Sequence, residues 1–243
     1  KSIIYQTFRW TFRLSTLLIL LGVSSVSGAF FGMKKNFQHL PPVSKLEYYA
    51  PVESTEIFDE KGTLLFKRHG EENRKVVALQ DIPGHVQRAV IAAEDARFYE
   101  HQGIDIKGLV RALKVNFDKG AVAQGGSSIT QQVVKNLFLT PERTVQRKLA
   151  EMWMAVQVEQ RYSKAQILEL YLNQVYWGHN AYGIQAAATN YFGKPVQKLS
   201  LAEGALLAGL LPGPELYSPY HNAEAAQIRQ KLTLERMVDT GQI

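Results

Sequence analysis

One long apolar stretch lies near the N-terminus, at residues 14–33, where no Asp, Glu, Lys or Arg occurs. A helix of about twenty residues rises about 30 Å, which matches the hydrocarbon core of a bilayer. We therefore predict a transmembrane anchor after a cytoplasmic tail at residues 1–13, because basic residues precede the span. The chain after Lys34 would lie outside the cytoplasm. A cleaved signal peptide is the alternative, since residues 25–27 (Ser-Val-Ser) resemble a cleavage site.

The pattern then changes from a proline-containing linker to short alternating runs. Residues 34–53 include a Pro-Pro pair and predict a linker beside the membrane, and a folded domain is predicted over residues 54–243. Within that domain, residues 55–58 and 63–66 flank a charged turn that ends in glycine. This arrangement predicts a small β-hairpin, which residues 75–79 would extend.

From Asp81 onward, apolar residues recur at the spacing of helices. Asp81 and Pro83 are start signals for a helix whose apolar stripe ends at Glu94. A later helix is predicted to begin at Thr140 and Pro141, with Thr140 as its N-cap. Its predicted buried stripe consists of Val145, Leu149, Met152 and Val156.

Further helix starts are marked by capping boxes at Ser163 and Ser200. Residues 177–192 predict a helix pair with a tight connection, and a last helix is predicted over residues 223–238. The domain is therefore predicted to be mainly α-helical.

The composition is that of a folded protein, with 46% hydrophobic and 21% charged residues. The net charge of +6 indicates an acidic partner, which could be nucleic acid, anionic lipid or a phosphorylated substrate. Cysteine is absent, which excludes disulfides, a thiolate nucleophile and Cys-ligated zinc. Five histidines show no metal-ligand spacing, so we interpret them as surface or packing residues. They are His39, His69, His85, His179 and His221.

Two adjacent carboxylates, Glu94 and Asp95, follow the apolar run at residues 90–93. A carboxylate at an apolar helix end can have its pKa raised by desolvation, which suits a general base near neutral pH. The glycine-rich segment at residues 120–132 offers backbone and side-chain donors to a polar substrate. Together these segments predict an active site, whereas an isolated Glu-Asp pair is usually a solvated helix end.

A group of charges lies on one side of the helix predicted after Pro141. Arg143, Arg147 and Glu151 follow one another at intervals of four residues, and Lys148 precedes Glu151 by three. Three cations and one carboxylate therefore share a face, which is either a functional cluster or a solvated charged surface.

Residues 104–119 interleave apolar side chains with lysine and arginine. Such a pattern is typical of a basic amphipathic helix that lies in the membrane interface. An ordinary helix packed on the core is the equal alternative.

Five motifs occur in order between about Ile57 and Val238. They are Glu94–Gly103 (EDARFYEHQG), Gly120–Gln132 (GAVAQGGSSITQQ), Arg147–Glu151 (RKLAE), Lys164–Asn173 (KAQILELYLN) and Arg229–Leu234 (RQKLTL). By these motifs the chain resembles the peptidoglycan glycosyltransferase domain, family 51 of the glycosyltransferases, found in class A penicillin-binding proteins and monofunctional transglycosylases. Ser128 and Thr233 stand where the family commonly has Thr and Val, and Ser128 retains the hydroxyl.

The resemblance implies a lysozyme-like, mainly α fold, with the small β-hairpin and one transmembrane helix added at the N-terminus. The implied reaction polymerises lipid II, transferring the growing glycan from undecaprenyl pyrophosphate to the 4-hydroxyl of GlcNAc with inversion, which forms a β-1,4 bond. The implied partners are lipid II, the growing strand, membrane lipids, and proteins of cell-wall synthesis and division, but not nucleic acid. The implied location is the bacterial plasma membrane, with a single span and the catalytic domain outside the cytoplasm.

The resemblance also assigns residues. Glu94 would be the general base, with a raised pKa, and Glu151 would be a second catalytic carboxylate that orients cations or holds a divalent metal, Mg²⁺ or Mn²⁺, with no organic cofactor. Cations for the pyrophosphate would come from Lys135, Arg143, Arg147 and Lys148. The other implied substrate-binding residues are Asp95, Phe98, His101, Gly126, Ser127, Ser128, Thr130, Gln131, Gln132 and Asn173. We expect Asp95 and His101 to position the loop more than to touch the reacting atoms.

Two alternative functions would place the chain in other classes of protein. A lysozyme-like peptidoglycan hydrolase or lytic transglycosylase would also use a single Glu, but it has no pyrophosphate for the cation cluster to stabilise. An inert, membrane-tethered module that binds cell-wall glycan is the second. No Ser-x-x-Lys or Lys-Thr-Gly motif occurs, so these residues contain no transpeptidase site.

Overall fold

The computed structural model describes residues 40–48, 55–61, 64–68, 73–119, 125–142 and 144–243, together with Gly32 and Phe37. The chain divides into two compact units, residues 1–42 and 43–243, and the elements below belong to the second. The predicted tail and anchor lie outside the described residues except for Gly32, as does much of the linker at 34–53. Among the described residues, no helix combines the length and apolar character needed to cross a bilayer.

The predicted β-hairpin is confirmed. Strand β1 (Thr55–Phe58) pairs in antiparallel register with β2 (Leu64–Arg68), with Thr55 opposite Arg68. The proposed extension of this hairpin by residues 75–79 is wrong. Instead β3 (Asn73–Arg74) pairs in parallel with β4 (Ala181–Tyr182).

The side chain of Asn173 explains why residues 75–78 form no strand. Its Oδ1 accepts the N–H of Val77 at 3.0 Å, and its Nδ2 donates to the carbonyl of Val77 at 2.8 Å. These are the two backbone groups that a neighbouring strand would have used. A single buried amide therefore takes the place of a strand partner.

The remaining described elements are mainly helical, as predicted, but residues 177–192 contain the short strand β4 and one helix instead of the predicted helix pair. The α-helices are α1 (Gly84–Glu94), α2 (Ile106–Lys119), α3 (Ile129–Phe138), α4 (Val145–Arg161), α5 (Lys164–Gln174), α6 (Ile184–Phe192), α7 (Leu201–Leu210) and α8 (Ala223–Asp239). The capping boxes at Ser163 and Ser200 are both present, and a third occurs at Ser128. Short 3-10 helices occur at Val43–Tyr48, Leu79–Asp81 and Val196–Lys198.

Helix α4 corrects two predictions. It begins at Val145 rather than at Thr140 and Pro141, because Thr144 is the N-cap and accepts the N–H of Arg147 at 3.1 Å. The predicted buried stripe is also wrong, since Val145 is 78% exposed and Leu149 is exposed as well. The face turned inward consists of Ala150, Glu151, Met154, Ala155 and Val158.

Helix packing defines the position of the site. Helix α1 packs against α7 and α8, which pack against each other, while α3 packs against α4 and α5. A Cβ at Gly209 would lie 2.9 Å from the backbone of Arg229, so glycine permits the close approach of α7 and α8. The end of α1, the start of α3 and the middle of α8 therefore border one region.

Helix α2 contains the amphipathic segment. Its large apolar side chains are exposed, with Phe117 87% exposed, which does not fit the alternative of an ordinary core-packing helix. The exposed residues are Ile106, Val110, Leu113 and Phe117. They follow one another at spacings of three and four, so they form one apolar stripe on the surface of the domain.

Candidate active site

A cavity of about 700 Å³ lies between the end of α1, α2, the start of α3 and α8. Glu94 and Asp95 line it, together with five more residues that were predicted from the sequence to bind substrate. They are Gly126, Ser127, Ser128, Gln132 and Lys135. A pocket of this size, with polar groups converging on it, is of the kind that holds a substrate.

Glu94 is the last residue of α1 and lies in the cavity wall. Burial raises the pKa of its carboxyl, although the hydrogen bond from Gln132 and the charges of Arg229, Arg236 and Lys135 act in the opposite direction. The predicted upward shift is therefore confirmed. Desolvation exceeds the attraction of three nearby cations, which leaves a carboxylate that binds a proton more readily than an exposed glutamate.

The amide of Gln132 holds Glu94 in one orientation. Its Nε2 donates to Oε2 of Glu94 at 2.7 Å, and its Oε1 accepts the hydroxyl of Tyr171 at 3.3 Å. Burial, followed by the charges of Glu94 and Asp95, raises the pKa of Tyr171, so this hydroxyl keeps its proton. Among the described residues, none donates to Oε1 of Glu94, which leaves that oxygen for a substrate hydroxyl.

Asp95 and His101 form a buried pair beside Glu94. Nε2 of His101 lies 2.9 Å and 3.0 Å from the two oxygens of Asp95, and Oδ2 of Asp95 also accepts the N–H of Ile129 at 3.0 Å. Asp95 thereby joins the end of α1 to the first turn of α3. These contacts are the positioning contacts that we expected of the pair.

Ser128 fastens the same turn from the other side. It is the N-cap of α3, where its Oγ accepts the N–H of Gln131 at 3.2 Å and donates to the carbonyl of Gly103 at 2.5 Å. Gly103 has a φ of +87°, and a Cβ there would lie 2.7 Å from the backbone of Ala155. The first and second motifs therefore meet through one hydroxyl and one glycine.

Glu151 lies in a separate group of charges. Its side chain is 2% exposed, and its oxygens accept from Arg147 Nη1 at 2.7 Å and from Lys148 Nζ at 2.6 Å. Lys148 Nζ also donates to the hydroxyl of Ser127 at 2.7 Å. Of these residues Ser127 lines the cavity, so it connects the charges of α4 to the region of Glu94. Arg143, the other cation predicted here, lies outside the described residues.

The surroundings of Glu151 do not fit a divalent cation. Both of its oxygens are already bonded to cationic groups. A metal ion placed there would add two positive charges beside two others, with a single carboxylate between them. The arrangement suits an anion that approaches Arg147 and Lys148 better than it suits a resident metal.

Seven of the predicted substrate-binding residues in the described part of the chain lie outside the cavity lining: His101, Arg147 and Lys148, whose contacts are given above, and four more that contact the protein itself. Thr130 is buried, and its hydroxyl donates to Glu159, which forms an ion pair with Lys164 at 2.6 Å. The second predicted residue, Phe98, contacts the same lysine, because Nζ of Lys164 lies 4.4 Å from the centre of its ring. The other two are Gln131, which completes the cap of α3, and Asn173, which holds Val77. Their predicted contacts with substrate remain untested.

Sequence reasoning missed three cations of the cavity wall. Arg111, Arg229 and Arg236 line the cavity with Lys135. Arg236 donates to the carbonyl of Ala93 at 2.7 Å, and Arg229 donates to the carbonyl of Gly209 at 3.0 Å. The sequence did contain a signal for two of these cations. Arg229 is the first residue of the fifth motif, and Arg236 follows it by seven residues, which places both on the same side of a helix.

Comparison with known proteins gives consistent matches. A family model described as "Transglycosylase" matches residues 61–238. Penicillin-binding protein 1A of Aquifex aeolicus is 46% identical over 207 residues, covering 85% of this chain and 28% of that protein. Penicillin-binding protein 1A of Escherichia coli K12 is 42% identical over 230 residues, covering 95% of this chain and 27% of that protein. The chain thus spans little more than a quarter of the length of these relatives.

Among solved structures, a crystal structure of penicillin-binding protein 1A from Haemophilus influenzae aligns with a TM-score of 0.43 and 23% identity. The alignment covers 80% of this chain and 19% of that one.

Proposed function

The chain belongs to the transglycosylase family, and from this premise we propose that it is a peptidoglycan glycosyltransferase that polymerises lipid II into β-1,4-linked glycan strands. The observation that supports this proposal most is the position of Glu94. Burial raises the pKa of this carboxyl, and the cavity wall in which it lies is rich in cations. We further propose that the helical domain is lysozyme-like, with its catalytic glutamate at the end of a helix.

Glu94 acts as the general base in this proposal. Its Oε1 accepts the proton of the 4-hydroxyl of GlcNAc. The hydroxyl oxygen then attacks the anomeric carbon of the growing strand from the face opposite the leaving group. The bond from the anomeric carbon to the pyrophosphate oxygen breaks, so the configuration is inverted. The proton remains on Glu94 until solvent removes it. A base with a raised pKa matches this step near neutral pH.

The cations stabilise the leaving group. Undecaprenyl pyrophosphate departs as an anion, and Lys135, Arg229 and Arg236 line the cavity in which that charge would develop. Lys148 reaches the same region through Ser127. Glu151 acts by holding Arg147 and Lys148 in place, and no step needs a metal at this carboxylate.

The surface of α2 supports a position at a membrane. Its stripe of exposed apolar side chains is flanked by exposed basic residues, Lys107, Arg111 and Lys114. Such a surface can dip into the headgroup region, where the pyrophosphate of a lipid-linked substrate lies. We therefore propose that the protein acts at the outer side of the bacterial plasma membrane, held there by the predicted anchor, with lipid II, glycan and cell-wall synthesis proteins as partners.

The deciding experiment offers the purified protein two substrates separately. With lipid II we expect polymeric glycan, and with insoluble peptidoglycan we expect no soluble fragments. Release of muropeptides without polymer would show a hydrolase or lytic transglycosylase instead. Binding of glycan with neither product would show the inert module.

A further inference from the structure

Two loops of the domain bring together two histidines and a carboxylate that are distant in the sequence. One ring nitrogen of His179, one of His221 and one carboxylate oxygen of Glu215 all lie within 4.8 Å of one another. None of the three lines the cavity that contains Glu94. Two imidazoles and a glutamate are a ligand set that zinc takes in proteins, with a further position left for water.

We propose that His179, Glu215 and His221 bind one divalent transition-metal ion, with zinc as the best match to this ligand set. The ion would join the loop between α5 and α6 to the loop between α7 and α8. It would be a structural ion, because Glu94 and the cavity cations lie elsewhere.

Glu215 is held ready to act as a ligand. Its Oε1 accepts the Tyr176 hydroxyl and, at 3.0 Å, the N–H of His179. Oε2 lies 3.9 Å from Nε2 of His179. Zinc bonds of about 2.0–2.2 Å at the tetrahedral angle place two ligand atoms about 3.3–3.6 Å apart, so this pair would have to close by about 0.3–0.6 Å to bind one ion.

The ring of His179 is fixed by its neighbours. It lies edge-on to Tyr220, with the ring centres 4.9 Å apart, and its Nε2 is 2.6 Å from the hydroxyl of Ser218. The same hydroxyl accepts the N–H of Tyr220 at 3.2 Å. Ser218 therefore keeps a partner when Nε2 turns its lone pair to a metal ion. Metal binding would therefore exchange the contact between Nε2 and Ser218 for a bond to the ion, while the packing against Tyr220 keeps the ring in place.

His221 completes the set. Its ring centre lies 5.1 Å from that of His179, with the planes tilted by 39°. Within the described part of the chain, no group hydrogen-bonds to a ring nitrogen of His221, whereas His85 and His101 both have such partners. An imidazole whose ring nitrogens have no hydrogen-bond partner among the described residues, beside a second imidazole and a carboxylate, is suited to a cation. The three ligand atoms lie within 4.8 Å of one another, so they would have to draw together by up to about 1.5 Å, through rotation of the exposed side chains of His221 and Glu215, to bind one ion.

The loop that carries Glu215 and His221 also borders the active-site cavity. Pro212 and Tyr217, from the same loop, line that cavity. An ion bound by His179, Glu215 and His221 would therefore restrain one wall of it. Because binding to the folded state alone raises stability, we expect zinc to increase the melting temperature.

Zinc titration by calorimetry tests the proposal, using the protein with its full sequence and no histidine tag. We expect one Zn²⁺ per chain with a Kd in the micromolar range or tighter, and no comparable binding of Mg²⁺. Saturating Zn²⁺ should raise Tm by about 5 °C. Glu215→Gln keeps an oxygen that can accept the Tyr176 hydroxyl, and His221→Ala changes an exposed side chain. Each variant should bind Zn²⁺ at least tenfold more weakly.

Glu224→Gln is the matched control, because Glu224 is an exposed acid in the first turn of α8 outside the cluster. It should bind Zn²⁺ as the unaltered protein does. The proposal is overturned if the Kd for Zn²⁺ is higher than about 100 µM. It is equally overturned if Glu215→Gln and His221→Ala bind Zn²⁺ as tightly as Glu224→Gln. The readout does not involve polymerisation, so it is independent of the function proposed for Glu94.

Discussion

The two glutamates of the candidate site have opposite surroundings. Glu94 accepts from an uncharged amide and burial raises its pKa, whereas Glu151 is enclosed between a guanidinium and an ammonium group. The first carboxyl is prepared to take up a proton, and the second to hold two cations in place. The roles that we propose for them therefore follow from their neighbours rather than from residue type or burial alone.

The largest effect is expected from Glu94→Gln. The substitution keeps the size of the side chain and removes the proton acceptor. Initial rates of lipid II polymerisation should fall by about a hundredfold to ten-thousandfold, because that is the usual contribution of a positioned base. Melting temperatures of both proteins serve as the control for folding. A variant that retains more than about a tenth of the rate would remove Glu94 from its proposed role.

Glu151→Gln should have a smaller effect on activity. Removing this charge leaves Arg147 and Lys148 to repel each other, so kcat should fall by about tenfold to a hundredfold and the unfolding free energy by about 2 kcal/mol. Steady-state kinetics and denaturant unfolding measure the two quantities.

Glu159→Gln is the matched control for this variant. Glu159 is also a buried carboxylate paired with a cation, Lys164, but it lies outside the cavity lining. It should lose stability while keeping its turnover. If Glu151→Gln behaves in the same way, its role is in folding and not in the reaction.

Gln132→Leu should move the pH dependence of the reaction. The amide of Gln132 stabilises the charged form of Glu94, so its loss raises the pKa of that carboxyl further. A base must be deprotonated, and the acid limb of the kcat/KM profile should therefore shift to higher pH. Tyr171→Phe, which frees Gln132 from one contact, should shift it less in the same direction. A shift to lower pH in either variant contradicts the assignment.

Ser128→Ala is expected to have the smallest effect on catalysis. It removes the N-cap of α3 and the bond to Gly103, which should lower the unfolding free energy by about 1–2 kcal/mol. Ser128→Thr keeps the hydroxyl and should lose less unfolding free energy than Ser128→Ala. Equal stability of the alanine and threonine variants would show that the hydroxyl does not fasten this turn.

Local signals in the sequence predicted much of the fold. The capping boxes at Ser163 and Ser200, the hairpin, and the helix that ends at Glu94 depend on neighbours within a few residues, and all are present. The inward face of α4 could not be predicted in this way. A buried glutamate is rare, and Glu151 is tolerated inside because Arg147 and Lys148 neutralise it there.

Long-range contacts account for the other differences. Asn173 replaces a strand partner for Val77, a residue that lies far from it in the sequence. Arg236 enters the cavity wall only because α8 packs beside α1. The cluster of His179, Glu215 and His221 likewise needs two loops to meet, so the separation of the histidines in the sequence gives no metal-binding spacing.

The most direct test of the division between the two carboxylates is the pH profile of kcat/KM for lipid II polymerisation, recorded for the original protein and for Glu151→Gln. We expect an acid limb above the ordinary glutamate pKa of 4.5 in both proteins, at the same pH, with only the height of the profile reduced in the variant. Disappearance of that limb in Glu151→Gln would mean that Glu151, and not Glu94, takes the proton.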